Sequence, residues 1–494
     1  MNQKTFSTTF GITAAMVSVC SVDGYAKNKV ERPNILFIVS EDNGKDIGCY
    51  DAPVHTPNLD ALAASGTLFS QAYVPQAGSS PSRACFLTGT YPHENGQVGL
   101  ATWLYSMYDE NMPNIVNSLK DNGYRTGMLG KLHILPEESI HLDMWKKKSA
   151  NFKRKKMDDY AEFAEDFINA SDTPFYLQVN YPDAHDKWLP QVDGVPADPL
   201  TADEVDPIPF CGLDSPELRT ATANYYNCMM RLDKYVGDLL DVLKRSGKYE
   251  NTLIVYIGDH GAHILRGKIT CYESGLGIPM IIAYPGKGRT ENRYDGMVST
   301  IDLYPTFMDV AGIPIPDHLD GKSLKDIVLK GKDRPLRKYM YGEFNVHSHH
   351  NPFPQRSVRD RRYKLIWNIL PEGGSITGRY NVKHLMDPAR FEQILSAAPD
   401  QVWEAYDTML NPPEYELYDL WEDPNEWNNL SEDPKYDSIK KGLIARLRKW
   451  QIETGDPFID KEVAKRFSDE IIATNLDRVE IGYHEYMKVD AVNR

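Results

Sequence analysis

The sequence is poor in cysteine, has no excess of basic charge and, past its first residues, contains no apolar run long enough to span a bilayer. Each shortage excludes something. The 494 residues hold 6 cysteines without close pairing, which makes neither a disulfide scaffold nor a zinc site. Setting Cys20 aside leaves Cys49, Cys85, Cys211, Cys228 and Cys271, which read as small buried hydrophobes. The balance of 55 basic against 70 acidic residues, a net charge of -15, argues against nucleic-acid binding through a basic surface. An anionic ligand needs a local cluster of Lys, Arg and His instead. No internal repeat and no low-complexity tract interrupts the chain.

What is present begins with Lys4, an apolar stretch from about Phe10 to Val19, and small residues ahead of Ala26 and Lys27. That order predicts a secretory signal over residues 1–26 and export. Cys20 raises a lipoprotein alternative, although Val17-Ser18-Val19 matches a lipid-attachment box poorly. With 41% apolar residues over this length, two packed domains are expected.

Asn34 to Ser40 is a continuous apolar, β-branched run, the pattern of a strand buried on both faces, and it ends in the polar Glu41-Asp42-Asn43-Gly44. Thr56-Pro57 opens and Gly66 closes a short amphipathic helix. Strand signals recur at Tyr124 to Leu129, Phe175 to Tyr181, Thr252 to Ile257 and Pro279 to Tyr284, with helical stretches between, notably Ser215 to Ser246. Such alternation predicts a mainly parallel sheet covered on both faces, with ligands at the carboxyl ends of its strands. After about Trp367 the pattern changes to a Gly-rich loop, a strand at Tyr415 to Leu420 and a helix from about Tyr436 to Thr454, a smaller α+β domain.

The most informative stretch is Gly78-Ser79-Ser80-Pro81-Ser82-Arg83-Ala84-Cys85-Phe86-Leu87-Thr88-Gly89. With Pro81 as a first helical residue and Gly89 as the stop, Ser79 stands just before a helix N-terminus. Unpaired N–H groups and the dipole favour an anion there, and Arg83 adds a fixed charge one turn on. A nucleophile so placed suits attack on phosphate or sulfate; a Ser-rich cap without chemistry is the other reading.

Ser79-x-Pro81-x-Arg83 followed by Leu87-Thr88-Gly89 resembles the maturation signature of type I sulfatases, in which the leading Cys or Ser is oxidised to formylglycine. The likeness covers most of the chain and is closest to the heparan N-sulfatase (N-sulfoglucosamine sulfohydrolase, sulfamidase) family. Gly130-Lys131-Leu132-His133, Arg356-Ser357-Val358, Glu416-Leu417-Tyr418-Asp419, Asp423-Pro424 and Trp450 to Pro457 carry it further. The resemblance implies an alkaline-phosphatase-like α/β fold. A large catalytic domain with a mainly parallel sheet between helices would span 27–370, and a smaller C-terminal α+β domain with an antiparallel sheet 371–494. Human-type members carry Cys where Ser79 stands; a serine resembles bacterial enzymes matured by an anaerobic radical enzyme, which implies such a maturase as partner and a secreted, periplasmic location.

Glu41-Asp42 after the first strand and Asp259-His260-Gly261 after Leu253 to Ile257 bring carboxylates from two strand ends together, which suits a hard divalent cation, preferably calcium. Ordinary loop or cap acids are the alternative. The resemblance puts Glu41, Asp42, Asp259, His260 and the oxidised Ser79 on the positions of one calcium ion. Glu41 stands where Asp is usual and His260 where Asn is usual, which leaves His260 a second possible role at the sulfate.

Lys131, His133, His185 and Lys268 each follow a predicted strand and would converge on one mouth of the sheet. By resemblance, hydrated formylglycine at Ser79 attacks sulfur while the cation, Arg83, Lys131 and Lys268 neutralise charge on the sulfuryl oxygens. His185 is the acid for the departing atom and His133 the base on the hydrate. His347 and Arg356 would read the substrate, a sulfated sugar of heparin or heparan sulfate; an exposed polar loop over His347 to His350 with a helper Arg is the other reading. Three further readings stay open: an O-sulfatase, such as one acting at 6-O of glucosamine or on another glycan, a phosphodiesterase or phosphonate hydrolase of the same fold, and a non-catalytic glycan-binding protein. A phosphatase of that fold needs a second metal ion, for which the sequence offers no evident ligands.

Overall fold

The structure is a computed structural model that describes Met1 and residues 32–349, 351–474 and 482–488. The expected signal segment, Cys20 and His350 therefore lie outside the described residues. The chain divides into Met1–Arg32 and Pro33–Arg494, and every element below belongs to the second unit.

Among the described residues nine strands form one sheet: β1 (Asn34–Ser40), β2 (Thr67–Tyr73), β3 (Arg125–Leu129), β4 (Met144–Lys146), β5 (Phe175–Tyr181), β6 (Thr252–Gly258), β7 (Gly277–Ile278), β8 (Met280–Ala283) and β9 (Asn292–Ser299). Their order is β4-β3-β5-β1-β6-β8-β2-β7, with β9 on the other flank of β2. From β4 to β6 all pairs are parallel, and every residue of β1, β5 and β6 is buried, as the continuous apolar runs predict. The register sets Ser40 beside both Tyr181 and Gly258, and Leu129 beside Val179. The segments that begin at Glu41, Pro182, Asp259 and Gly130 therefore leave the sheet at one edge.

The strand expected at Pro279 to Tyr284 is β8, but it runs antiparallel to β6 and to β2. Between β6 and β8 lie loops, the four-residue helix Glu273–Leu276 and β7, with no long helix to carry a crossover over the sheet face. The long helix forms as Pro216–Arg245: the Ser215 hydroxyl accepts from the Leu218 N–H at 3.3 Å, proline occupies the first turn, and Lys244 and Arg245 close the last. Cys85, Cys211, Cys228 and Cys271 are buried, Cys49 partly so, and these five are free thiols. No helix among the described residues is long and apolar enough to cross a membrane.

The second sheet is antiparallel, in the order β10 (Met340–Phe344), β11 (Gln355–Arg359), β12 (Tyr363–Asn368) and β13 (Tyr415–Asp419). Helix Asp437–Thr454 packs on β11 and β12, where Leu443, Leu447 and Trp450 join Val358, Leu365 and Trp367 in a second core. Three of these strands precede residue 371, where the sequence pattern suggests the smaller domain begins. Their largely buried residues resemble main-sheet strands in sequence, and only the later partner β13 reveals the separate sheet.

Buried ion pairs tie this sheet to its surroundings. His93 Nδ1 lies 2.5 Å from Glu343 of β10, and Arg356 of β11 makes two 2.7 Å bonds to Asp456. Burial alone pulls the His93 pKa down, but the Glu343 carboxylate outweighs it and lifts the group to about 9. A group raised on folding adds stability that is complete below its unfolded pKa, near 6.5, and is lost as pH climbs through about 9. Thermal unfolding across that window is expected to show a falling Tm in the wild type and a shallower fall in His93→Gln. Parallel pH slopes for the two proteins would contradict the ion pair.

Candidate active site

Helix Ser79–Thr88 has Gly78 as its N-cap and closes at Gly89, whose φ of 73° lies in the left-handed region and whose N–H bonds Cys85 O at 2.8 Å. Ser79 is thus the first helical residue rather than the one before, and Pro81 the third. The proline costs nothing there, because the first four N–H groups of a helix have no internal partner. All ten helical residues are buried. Arg83, one turn on from Ser79, donates to Asn180 Oδ1 at 3.0 Å and to Asp259 Oδ2 at 3.1 Å, which anchors the helix start at the sheet edge.

Three carboxylates converge beneath Ser79: Glu41, Asp42 and Asp259 are each at most 1% exposed. Lys131 Nζ lies 2.7 Å from Glu41, Lys268 Nζ reaches both oxygens of Asp42 at 2.9 and 3.0 Å, and Arg83 faces Glu41 and Asp259. Burial alone would raise the pKa of Asp42 and of Asp259. The surrounding basic side chains, Lys268 foremost at Asp42 and His260 with Arg83 at Asp259, hold both below the usual carboxylate range. His260 links the two parts of the site, with Nε2 3.1 Å from Ser79 Oγ, 3.4 Å from Asp42 and 3.6 Å from Asp259. Its Nδ1 donates to Gly261 O at 3.0 Å. That bond fixes the neutral tautomer, with the Nε2 lone pair facing the carboxylates. Glu41 Oε2 is buried without a hydrogen-bond partner. An orphaned carboxylate oxygen, two further carboxylates and an aimed imidazole fit a hard divalent cation. Asp42 holds φ at 49° and His133 at 62°, left-handed conformations that cost non-glycine residues roughly 1–2 kcal/mol each.

Above the cluster opens a cleft of about 320 Å³, lined by Ser79, Lys131, His133, His185, Lys268 and His347 among others. The structure thus brings the scattered basic residues to one mouth. Gly130, at φ 90°, lets this happen: a Cβ there would collide with the Asn180 carbonyl. The His133 and His185 rings have opposite environments. His133 is pushed well below its ordinary pKa by burial and by Lys131, Arg83 and Lys268; Nε2 pairs with Thr102 Oγ1 at 2.9 Å and Nδ1 has no hydrogen-bond partner. Burial also pulls on His185, but Asp42 together with the Asp186 hydrogen bond and Glu41 outweighs it and the pKa rises. His185 donates from Nδ1 to its neighbour Asp186, at 2.6 Å to the carbonyl, and its ring stacks on Phe152 at 4.3 Å. The loop behind it is clamped by Asp183, which takes Arg154 at 2.9 Å and Arg231 at 2.7 Å; Arg154 also donates to the carbonyls of Phe152 and His185.

Arg356 is the exception among the expected residues. It is fully buried, committed to Asp456 and Asn345, and absent from the cleft lining, which corrects its reading as a substrate contact. An internal carboxylate has already claimed the guanidinium. His347 does line the cleft, with neither ring nitrogen hydrogen-bonded. Sequence reasoning missed Phe152, Asp186, His263, Tyr380 and His384, which complete the wall. Asp186 beside His185 and His263 beside His260 were legible neighbours; Phe152 and the helix bearing Tyr380 and His384 gave no motif. A larger cavity of about 670 Å³ also exists, but its Arg293, Arg337 and Arg362 are tied to Asp295, Asp302 and Asp419.

Comparison with known proteins agrees with this geometry. The family profile described as Sulfatase matches residues 33–313, and that described as N-sulphoglucosamine sulphohydrolase, C-terminal, matches 258–376. An ulvan-active sulfatase of Formosa agariphila is 30% identical over 443 residues, covering 86% of this chain and 81% of its own. The N-sulphoglucosamine sulphohydrolase of Homo sapiens is 27% identical over 470 residues, covering 86% and 91%. The crystal structure of the putative sulfatase yidJ from Bacteroides fragilis superposes with a TM-score of 0.69 at 23% identity, over 87% of this chain and 97% of that one.

A cation held by this cluster stabilises the folded chain alone, because the unfolded chain lacks the site. Calcium at a hundredfold excess over its Kd is expected to add about 2.7 kcal/mol, read as a raised Tm. Glu41→Gln, which removes the orphaned oxygen, is expected to shrink that increment. An undiminished calcium shift in the variant would contradict the ligand set.

Proposed function

This chain belongs to the sulfatase family, and from that premise we propose that it removes the N-sulfate of glucosamine from heparin or heparan sulfate fragments, acting at a nonreducing end. The observation that carries the hydrolytic reading is the division of the two cleft histidines, and the profile match of residues 258–376 supports the N-sulfate assignment. Burial and neighbouring cations push His133 down, whereas the Asp42 carboxylate pushes His185 up. Two titratable groups driven apart in one small cleft are the pattern of a base and an acid assigned to separate steps. The cleft, about 320 Å³, is at the small end of ligand pockets, which favours one terminal sugar over an internal segment.

Ser79 is read as the precursor of formylglycine, whose hydrate supplies the oxygen nucleophile; a radical maturase would remove the two electrons and two protons. Glu41, Asp42, Asp259 and His260, with the oxidised Ser79, would hold one calcium ion, which when bound withdraws charge from the sulfuryl oxygens. Arg83, Lys131 and Lys268 already balance the three carboxylates. A divalent cation added there leaves the site positive, and an anionic sulfate relieves that charge. Lys268, at the cleft edge, faces the sulfuryl oxygens. In the tautomer with Nε2 as donor to Thr102, His133 keeps a lone pair on Nδ1 to take a proton from the hydrate. His185, held through Nδ1, carries the proton on Nε2 for the departing nitrogen. His347 contacts the sugar. The signal at the start of the sequence supports export to the periplasm.

O-sulfate hydrolysis is the second reading, favoured by the ulvan-active relative, whose identity to this chain is no lower than that of the N-sulphoglucosamine enzyme. Sulfate release from N-sulfoglucosamine and from 6-O-sulfated N-acetylglucosamine separates the two, using matured protein with calcium. Release from the first, abolished in Ser79→Ala, is the expected result; release only from the second moves the assignment to O-sulfate. His185→Ala is expected to lose about 10²–10⁴-fold on the sugar substrate, and far less on an aryl sulfate whose leaving group needs no proton. Equal losses on both would remove His185 from the acid's role.

A further inference from the structure

We infer that the lysine-rich loop at the mouth of the cleft, residues 146–156, is a second glycan-binding site, which holds the anionic chain that trails from the sugar seated over Ser79. Seven of these eleven residues are lysine or arginine and none is acidic, on a chain whose net charge is -15. Ala150 and Phe152, from the middle of the run, line the cleft. Successive Cα atoms are about 3.8 Å apart, so the backbone of Lys148 and of Lys153 lies within about 8 Å of the cleft wall.

A run of like charge on a surface is ordinarily balanced by neighbouring acids, and here those acids are committed elsewhere. Asp143 pairs with Lys120 at 2.7 Å and Asp158 with Lys234 at 3.2 Å, while Asp159 takes Lys147 at 2.7 Å. Lys146, Lys148, Lys153, Lys155 and Lys156 are exposed, and none of them is ion-paired among the described residues. Five uncancelled cations in one loop repel one another across a Debye length of about 8 Å. An anionic chain lying along them relieves that repulsion.

The loop is also held in place. Lys147, Asn151, Arg154 and Lys156 all have φ between 49° and 54°, left-handed conformations that persist in non-glycine residues only where the surroundings impose them. Arg154 supplies the restraint: it is fully buried, binds Asp183 at 2.9 Å and donates to the carbonyls of Phe152, Pro182 and His185. The Phe152 ring stacks on His185 at 4.3 Å, with Lys131 Nζ 5.4 Å from its centre. One buried guanidinium thus fixes the lysine loop to the segment that positions His185. Lysine ammonium groups read charge rather than shape. Continuity with the cleft identifies the anion as a sulfated or carboxylated oligosaccharide, and that step rests on the sulfatase reading.

Calorimetric titration of the full chain carrying Ser79→Ala with a heparin hexasaccharide tests the loop without turnover. Adding Lys148→Gln, Lys153→Gln, Lys155→Gln and Lys156→Gln together is expected to weaken binding about tenfold or more and to flatten its salt dependence. A control with Lys244→Gln, Lys441→Gln, Lys449→Gln and Lys465→Gln removes the same charge from exposed helical positions outside the cleft lining, and is expected to bind as the parent does. No binding by the parent, undiminished binding by the loop variant, or an equal loss in the control would overturn the proposal. In matured enzyme the loop variant is expected to lose more kcat/KM on the hexasaccharide than on N-sulfoglucosamine; equal losses on the two would also overturn it. Absence of sulfate release from both would fail the sulfatase reading and leave the titration standing.

Discussion

Three buried carboxylates matched by three cations, Arg83 and Lys268 buried and Lys131 partly so, constrain everything around them at one edge of the parallel sheet. Each ion costs several kcal/mol to remove from water, and leaving one unpaired costs about 3–5 kcal/mol. Glu41, Asp42 and Asp259 are therefore tolerable only with Lys131, Lys268 and Arg83 in place. Those partners arrive from a different strand end, a long loop and the helix that starts at Ser79. Satisfying the charges thus fixes the helix start, the loop after β3 and the loop that bears Lys268 relative to one another. Geometry needed for chemistry comes as a consequence of electrostatic closure.

The same charges divide the cleft histidines. His133 stands among cations and stays neutral, whereas His185 answers to Asp42 and is held by Asp186, Phe152 and the Arg154–Asp183–Arg231 clamp. Two residues of one type acquire opposite proton preferences because of which partner lies closer. The His260 imidazole adds a third environment, its tautomer set by a backbone carbonyl and its lone pair turned to the carboxylates.

Much of this was legible in the sequence where a residue's role depends on its own strand or helix. Buried runs announced β1, β5 and β6, and the polar residues just after them, Glu41, Asp42, His185, Asp259 and His260, fall where strand ends meet. Ser79 at a helix start was evident to within one residue. What the sequence hid depends on partners far along the chain. The antiparallel course of β8 rests on its pairing with β6 and β2, which no local pattern announces, and the small sheet is recognisable only when β13 joins strands that precede residue 371. Arg356 carried a motif but was claimed by Asp456, a distant carboxylate with no local signature. Phe152 and His384 reach the cleft through tertiary packing alone.

The central claim is that Ser79, set over this balanced cluster, becomes an oxidised nucleophile. The most direct measurement is the mass of the Ser79-containing peptide from protein produced with and without an anaerobic radical maturation enzyme, alongside sulfate release by each preparation. The account predicts loss of two hydrogens at Ser79 only with the enzyme, and sulfate release only from that preparation. Sulfate release by protein whose Ser79 is unmodified would contradict it.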